Sequence, residues 1–456
     1  MNATERMASF VCQPHYDSMP AEAIAVAKHA ILDCVGVILA GSLQPAGRII
    51  TGYVGESGGK GEAGVIGGGF RCPSDQAALA NGTMAHAMDY DDMHSKAHCH
   101  ATAILVPTIL ALGEQYHATG DQVLEAYSVA LEVIYRIGHE FDMYPHTVGF
   151  HPTAVSGPMG AAAASARLLK LDKDQTRMAF GIAASETAGI RGNFGSMTKP
   201  FHAGNAARSG IVAARLAQRG FTADKDTFDS DWGFMKAFGP KGHVDRDRFV
   251  DGLGTVFHGH VGLEFKLYPS CGKTHSALDA MLHLIKEHDL TADKVAEVEC
   301  ATSDSLPEVL LHHRPRTGME GKFSLEFCMA IALIDGEVGV RQFTDEKVNE
   351  PRVQDLIKRV KYVHPEDRRG WGEKEFLSAE TVTVRLKNGQ SLSYRAARGI
   401  GQLGQVVSAA QLEAKYRDCA APVLKGDSLQ KSVRLLRTLE GITDITELTN
   451  VICLVR

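Results

Sequence analysis

The chain has no excess of basic charge. Its 456 residues carry 48 Lys and Arg against 54 Asp and Glu, a formal net charge of −6, whereas general attraction to a nucleic-acid backbone needs the opposite balance. It has no C-x-x-C pair. Nine cysteines, Cys12, Cys34, Cys72, Cys99, Cys271, Cys300, Cys328, Cys419 and Cys453, are scattered through it. That odd number and spacing indicate neither a zinc ribbon nor a disulfide framework, so reduced thiols in a cytoplasmic protein are expected. No long apolar core follows a basic start in the first residues, MNATERMASFVCQ, so no secretory signal is expected. The most apolar helix candidate, Ala21 to Gly41, carries Glu22, Lys28, His29 and Asp33. It reads as a buried globular helix, and no membrane partner is expected. A complete phosphate loop is missing too. Gly59-Lys60 has Val54 where the loop needs Gly and Gly61 where it needs Ser or Thr, and Gly272-Lys273-Thr274 has Leu267 at its start. There is no internal repeat and no low-complexity tail.

What remains is an ordinary globular composition, 44% hydrophobic and 22% charged, at a length that makes two domains the default. In the first half, Ile24, Ala27, Ile31, Cys34 and Ile38 recur at helical spacing, with Pro20 placed for a first turn and Gly41 for a stop. Gln122 to Ile137, Gly157 to Leu169, Gln175 to Thr187 and Ala203 to Gly220 read as further helices. The Ala- and Gly-rich ones suit close helix packing. After about Leu263 the pattern changes. Val295 to Thr302 alternates like a half-buried strand, and Val360 to Val363 reads as another. Thr381 to Leu386 and Gln390 to Tyr394 flank Asn388-Gly389, which predicts a hairpin with a type I′ turn. Ser276 to His288 and Glu346 to Val360 are helix candidates among them. Helical patterning returns after about Leu403, through Gln411 to Tyr416 and Ser428 to Leu439. The expected fold is mainly α: a large all-helical domain over residues 1–263 and 404–456, with a smaller α+β lid domain inserted over residues 264–403.

The densest chemistry lies in Asn81 to Glu114. His86, Asp89, Asp91, Asp92, His94, His98 and His100 precede an apolar run, Ile104 to Leu112. Carboxylates and imidazoles exchange protons near neutral pH, and burial beside a core helix tunes them for it. The cluster admits a polar capping loop. It also admits a metal site on His94, His98 and His100 with Asp91 or Asp92, although the spacing matches no trusted zinc signature. Metal-free proton transfer is the expectation. Four further stretches are too specific for packing alone: Gly149 to Thr153 (GFHPT), Asn193 to Arg208 (NFGSMTKPFHAGNAAR), Phe265 to His275 (FKLYPSCGKTH), and Lys322 to Phe327 (KFSLEF) after the basic His312 to Arg316 segment. Lys199, Lys266 and Lys273 can bind carboxylates as point charges, which implies an anionic substrate.

These stretches, with NG-x-x-x-H-x-x-DYDD at their head, run in the order found in the MmgE/PrpD family, which the chain resembles over nearly its whole length. That family includes 2-methylcitrate dehydratase, cis-aconitate decarboxylase and iminodisuccinate epimerase. The resemblance implies a helical domain with an α+β lid, no metal or organic cofactor, and a homodimer. Carried over residue by residue, it puts Asp89, His100, His151, Lys199 and Lys266 in the active site, with His275 a weaker match; His275 joins Lys273 and His202, read from their own stretches, as substrate-binding candidates. His100 is then the leading acid/base and Asp89 its orienting partner. His151 is a second acid/base, and Lys199 and Lys266 are carboxylate binders. The shared chemistry is proton transfer next to a carboxylate on a di- or tricarboxylic acid. Met93 and Ala101-Thr102 depart from the family's common Thr and Pro-Ser, and Phe327 stands where the decarboxylases carry Tyr. On that ground a dehydratase resembling 2-methylcitrate dehydratase leads. An epimerase (Glu326 resembles that branch) and a decarboxylase are the alternatives. A non-catalytic small-acid binder is the rival of a different class, and the intact Asp89, His100, His151 and Lys199 set speaks against it.

Overall fold

Small residues decide how the helices pack. The computed structural model describes residues 1–240, 244–302, 306–363, 381–396 and 407–453. The chain forms two compact units. One comprises Met1–Ala87, Asp91–Glu264 and Ser408–Arg456, the other Met88–Tyr90 and Phe265–Val407.

The first unit is built of helices. The Ser74–His86 helix and the Thr198–Gln218 helix cross in close contact. A Cβ on Gly82 would lie 2.7 Å from the Gly204 Cα, and one on Gly204 would lie 2.2 Å from the Leu79 carbonyl oxygen. The glycines of the NG and HAGNAAR motifs therefore let two backbones touch. The Thr102–Tyr116 and Pro152–Leu168 helices pack against the same pair. Gly120–Phe141 begins with a capping box between Thr119 and Gln122.

The Ala21–Gly41 helix is long and apolar enough to cross a membrane by length and composition, yet most of it is buried within the unit. Its Asp33 forms a buried ion pair with Lys415, 2.8 Å away, on the Ala409–Ala420 helix. The expected all-helical texture has two small exceptions among the described residues. Ala63–Gly64 pairs with Arg71–Cys72, and Met93–His94 pairs with Leu263–Glu264, each as a two-residue antiparallel ladder.

The second unit holds a four-stranded sheet in the spatial order Val360–Val363, Val295–Ala301, Thr381–Leu386, Ser391–Arg395. Val298 pairs with Val360 in parallel and with Val384 antiparallel. The helices His275–His288 and Leu325–Asp335 share a core with the sheet through residues such as Leu278, Met281, Val298, Ile331 and Val382. Two local expectations need correction. The hairpin does not close through a two-residue type I′ turn: the Leu386 N–H donates to the Gln390 carbonyl, and Gly389 alone takes a positive φ, +88°. That is the three-residue loop in which glycine supplies the left-handed position. The helix expected over Glu346 to Val360 is split into Asp345–Val348 and Pro351–Ile357. Pro351 has no N–H to continue a helix and starts a new one instead. The expected boundary near Leu403 falls outside the described residues, while the helices expected beyond it are found at Ala409–Ala420 and Asp427–Arg437.

Candidate active site

Three buried imidazoles gather in the first unit. His86 is the last residue of the Ser74–His86 helix. His100 ends the loop ahead of the Thr102–Tyr116 helix, where its backbone N–H donates to Thr153 Oγ1 over 3.1 Å. His151 precedes Pro152 at the start of the Pro152–Leu168 helix, and its backbone N–H donates to the Gly189 carbonyl. The His86 and His100 ring centroids lie 4.3 Å apart, and His151 lies 5.9 Å from the first and 6.3 Å from the second.

Asp91 ties two of them together. Its carboxylate lies 2.9 Å from His86 Nδ1 and 3.1 Å from His100 Nδ1. The His100 Nδ1 is also 3.0 Å from the Asp92 carbonyl oxygen. An ionised carboxylate and a carbonyl can only accept, so both Nδ1 atoms carry the hydrogen and Nε2 is the remaining nitrogen on each ring. The sequence expectation that Asp89 holds the His100 ring is therefore corrected. The carboxylate bonded to that ring is Asp91, and Asp89 bonds Lys266. Asp91 and His86 both stood in the dense cluster, and Asp91 also as a candidate metal ligand, but neither was in the expected catalytic set. Both stand inside NG-x-x-x-H-x-x-DYDD, five residues apart, so the motif itself held the signal.

The electrostatics separate neighbouring groups. Burial opposes ionisation of Asp91, but His86 and His100, as charge partners and hydrogen-bond donors, hold it well below the usual carboxylate range. Burial and the negative charges of Asp33 and Asp91 push the adjacent Asp92 well above that range. Burial pushes His86 down to about 4 despite the pull of Asp91. It also lowers His151 well below its ordinary value, with Lys199 adding to the effect. Neighbouring groups are thus driven apart, Asp91 toward the carboxylate and Asp92 toward the neutral acid, while burial lowers both His86 and His151. Such divergence is the usual mark of an acid/base site.

Lys199 is buried in the first turn of the Thr198–Gln218 helix, its Nζ 5.3 Å from the centre of the Phe194 ring. One turn on, His202 Nδ1 lies 3.2 Å from His151 Nδ1, so one of the two donates to the other. A cavity of about 240 Å3 adjoins His202. It is lined mainly by apolar groups including Ala154, Pro158, Ile190 and Phe201, with no Lys or Arg among its lining residues. It does not suit a polycarboxylate. One ring nitrogen each from His86, His100 and His151 lies within 4.8 Å of the others, and three such imidazoles can also hold a transition metal.

The other expected residues belong to the second unit. Lys266 Nζ lies 2.9 Å from the Asp89 carboxylate and 2.8 Å from its carbonyl oxygen. Lys322 donates to the Met88 carbonyl, and the Tyr90 hydroxyl donates to the Leu267 carbonyl, so Met88 to Tyr90 is pinned at each residue. His275 is buried at the start of its helix, edge-on to the Tyr268 ring, and Lys273 is half-buried. Glu326 bonds the His313 ring over 2.9 Å. Phe327 is wholly buried, packed on Phe343 and close to Gly321. Its ring belongs to the core, so its missing hydroxyl reflects packing and loses its weight as a sign of substrate. Thr102 is likewise a core group, 2.7 Å from the Tyr127 hydroxyl.

Two family models match the chain: the MmgE/PrpD N-terminal domain over residues 5–247 and the MmgE/PrpD C-terminal domain over residues 268–440. The chain belongs to the MmgE/PrpD family. Among curated members, cis-aconitate decarboxylase of Mus musculus is 29% identical over 399 residues, 84% of this chain and 79% of the relative. The Homo sapiens protein of the same name is also 29% identical, over 397 residues, 84% of this chain and 80% of the relative. Cis-aconitate decarboxylase of Aspergillus terreus is 28% identical over 460 residues, 95% of this chain and 92% of the relative. Against this family background, the glycines of two motifs serve the helix crossing, while the histidines, Asp91 and Lys199 form the polar centre.

Proposed function

We propose that this chain is a cofactor-independent lyase that moves a proton next to a carboxylate on a di- or tricarboxylic acid, and that loss of CO2 is the outcome. The observation that carries the proton-transfer step is the Asp91-held His100 ring. With Nδ1 committed to acceptors, Nε2 is the nitrogen that gives and takes the proton. His151 is the second acid/base candidate, and Lys199 binds a substrate carboxylate and stabilises negative charge. In an unsaturated tricarboxylate, the bond to the departing carboxylate breaks and its electron pair forms a new double bond. The far carbon of the old double bond takes a proton from the imidazolium, so one proton is consumed for each CO2 released.

The relatives' names support decarboxylation over the dehydration expected from sequence. The buried place of Phe327 removes one objection to it. Dehydration stays as the second reading because Met93 has no hydroxyl where the family often carries Thr. Incubation of the purified protein with a panel of di- and tricarboxylic acids in D2O, followed by NMR, tests both. CO2 loss with deuterium incorporation supports the proposal. Water loss favours the dehydratase, and no exchange into any acid on the panel refutes both. Elemental analysis of the same sample tests cofactor independence: stoichiometric zinc or iron would overturn it.

A further inference from the structure

We propose that His86 is a positioning residue for His100: by sharing the Asp91 carboxylate, it fixes the group that holds the His100 ring with Nε2 as the proton-exchanging nitrogen. This rests on the reading of His100 as the acid/base. His86 Nδ1 lies 2.9 Å from Asp91 Oδ1 and 3.0 Å from Oδ2, so one N–H spans both oxygens. The Oδ2 atom is shared with His100 at 3.1 Å. Asp91 is fully buried, and a carboxylate there needs its oxygens satisfied. The His86 Nε2 is buried without a hydrogen-bond partner among the described residues. The bond to Asp91 is thus the one polar interaction shown for the His86 ring.

The backbone makes His86 a rigid support. It ends a helix locked against the Thr198–Gln218 helix by the Gly82 and Gly204 contact, and that second helix carries Lys199 and His202. A carboxylate that orients an imidazole selects its tautomer, and such supporting groups matter through the ring they hold. Removing His86 frees Asp91 to rotate toward other donors. His100 Nδ1 then keeps the Asp92 carbonyl as an acceptor but loses the charged one, so its hydrogen is held there less strongly and Nε2 is less reserved for the substrate.

The test uses the full-length protein with 15N-labelled histidine, in two variants. His86→Leu removes the donor, and His86→Asn keeps a side-chain N–H close to where Nδ1 stood. With the acid that the unmodified protein turns over, His86→Leu is expected to lower kcat by about ten- to a hundredfold while KM stays within about threefold. The His100 15N signals shift from the Nδ1–H form to a mixture. His86→Asn is expected to recover most of kcat and restore the Nδ1–H pattern. An unchanged His100 tautomer in His86→Leu overturns the proposal. So does a loss of turnover that Asn does not rescue while the tautomer stays intact, which would make His86 an acid/base itself. Where His86→Leu fails to fold, Asp91→Asn gives the same tautomer readout, and an unchanged His100 pattern there is equally fatal. The tautomer signal needs no turnover, so it decides the positioning role even where His100→Ala shows that another group moves the proton.

Discussion

Lys266 Nζ grips Asp89 twice, at 2.9 Å through the carboxylate and at 2.8 Å through the carbonyl oxygen. Asp89 sits at a φ of +53°, a left-handed conformation that costs a non-glycine residue about 1–2 kcal/mol. The double contact holds that conformation. Both side chains are nearly buried, so removing one partner takes a close counter-charge from the other inside the protein. Lys266→Met is expected to destabilise the protein by about 3–5 kcal/mol, and Asp89→Asn added to it to recover part of the loss. Urea denaturation across the double-mutant cycle measures this. Strictly additive losses would show that the pair is not coupled.

His100→Ala is expected to abolish both turnover and deuterium exchange into the substrate, while substrate binding stays largely intact. Calorimetric titration with the substrate and NMR in D2O read the two sides separately. Exchange at near the parental rate would assign the proton to another group, and His151 would be tested next.

Lys199→Ala is expected to lower kcat/KM by about two to three powers of ten, the loss typical of one charge-stabilising donor. Steady-state kinetics on folded protein checks it. A tenfold or smaller loss removes Lys199 from the charge-stabilising role.

Acid should destabilise the fold through its buried histidines. Burial holds His94 and His86 at about 4 and His151 well below its ordinary value. Between about pH 6.5 and 4 the unfolded chain therefore binds protons that the folded chain does not. Stability is full above the unfolded value and falls as the pH drops through this window, by up to about 1.4 kcal/mol per pH unit for each such ring. His94→Gln should remove about one proton's worth of that slope. Urea midpoints taken at about pH 7, 6 and 5 give the comparison.

Gly204→Ala should destabilise the helical unit by about 2 kcal/mol or more, although alanine is the better helix former. Its Cβ would sit 2.2 Å from the Leu79 carbonyl oxygen, a rigid backbone atom. Thermal unfolding reads the shift, and a raised midpoint would contradict the crossing geometry.

Much of this was legible in the sequence because periodicity records which face of a segment is buried. Val295–Ala301 and the helices Gly120–Phe141 and His275–His288 lie within a few residues of where alternation and helical spacing put them. The density of polar residues in three short stretches brought His100, His151, Lys199 and His202 to notice, and the fold places all four in one unit. The choice among Asp89, Asp91 and Asp92 was not legible. Three acids within four positions look equivalent in a string. The left-handed turn at Asp89 sends its carboxylate to Lys266, and the next acid takes the imidazoles. The division of Glu346 to Val360 was readable from Pro351 alone, and helical spacing obscured it.

The Asp33–Lys415 pair also bears on how this chain is made. The Ala21–Gly41 helix leaves the ribosome long before the Ala409–Ala420 helix that carries its partner. Until the late helix arrives, an apolar helix bearing a core carboxylate waits without its ammonium partner, through the synthesis of the whole second unit. Assembly of the helical unit is thus completed only after the second unit has been made. The smaller unit, which draws all but Met88–Tyr90 from one continuous stretch, has its residues available earlier. Nascent chains stalled before Lys415 should accordingly engage chaperones far longer than chains released just beyond it.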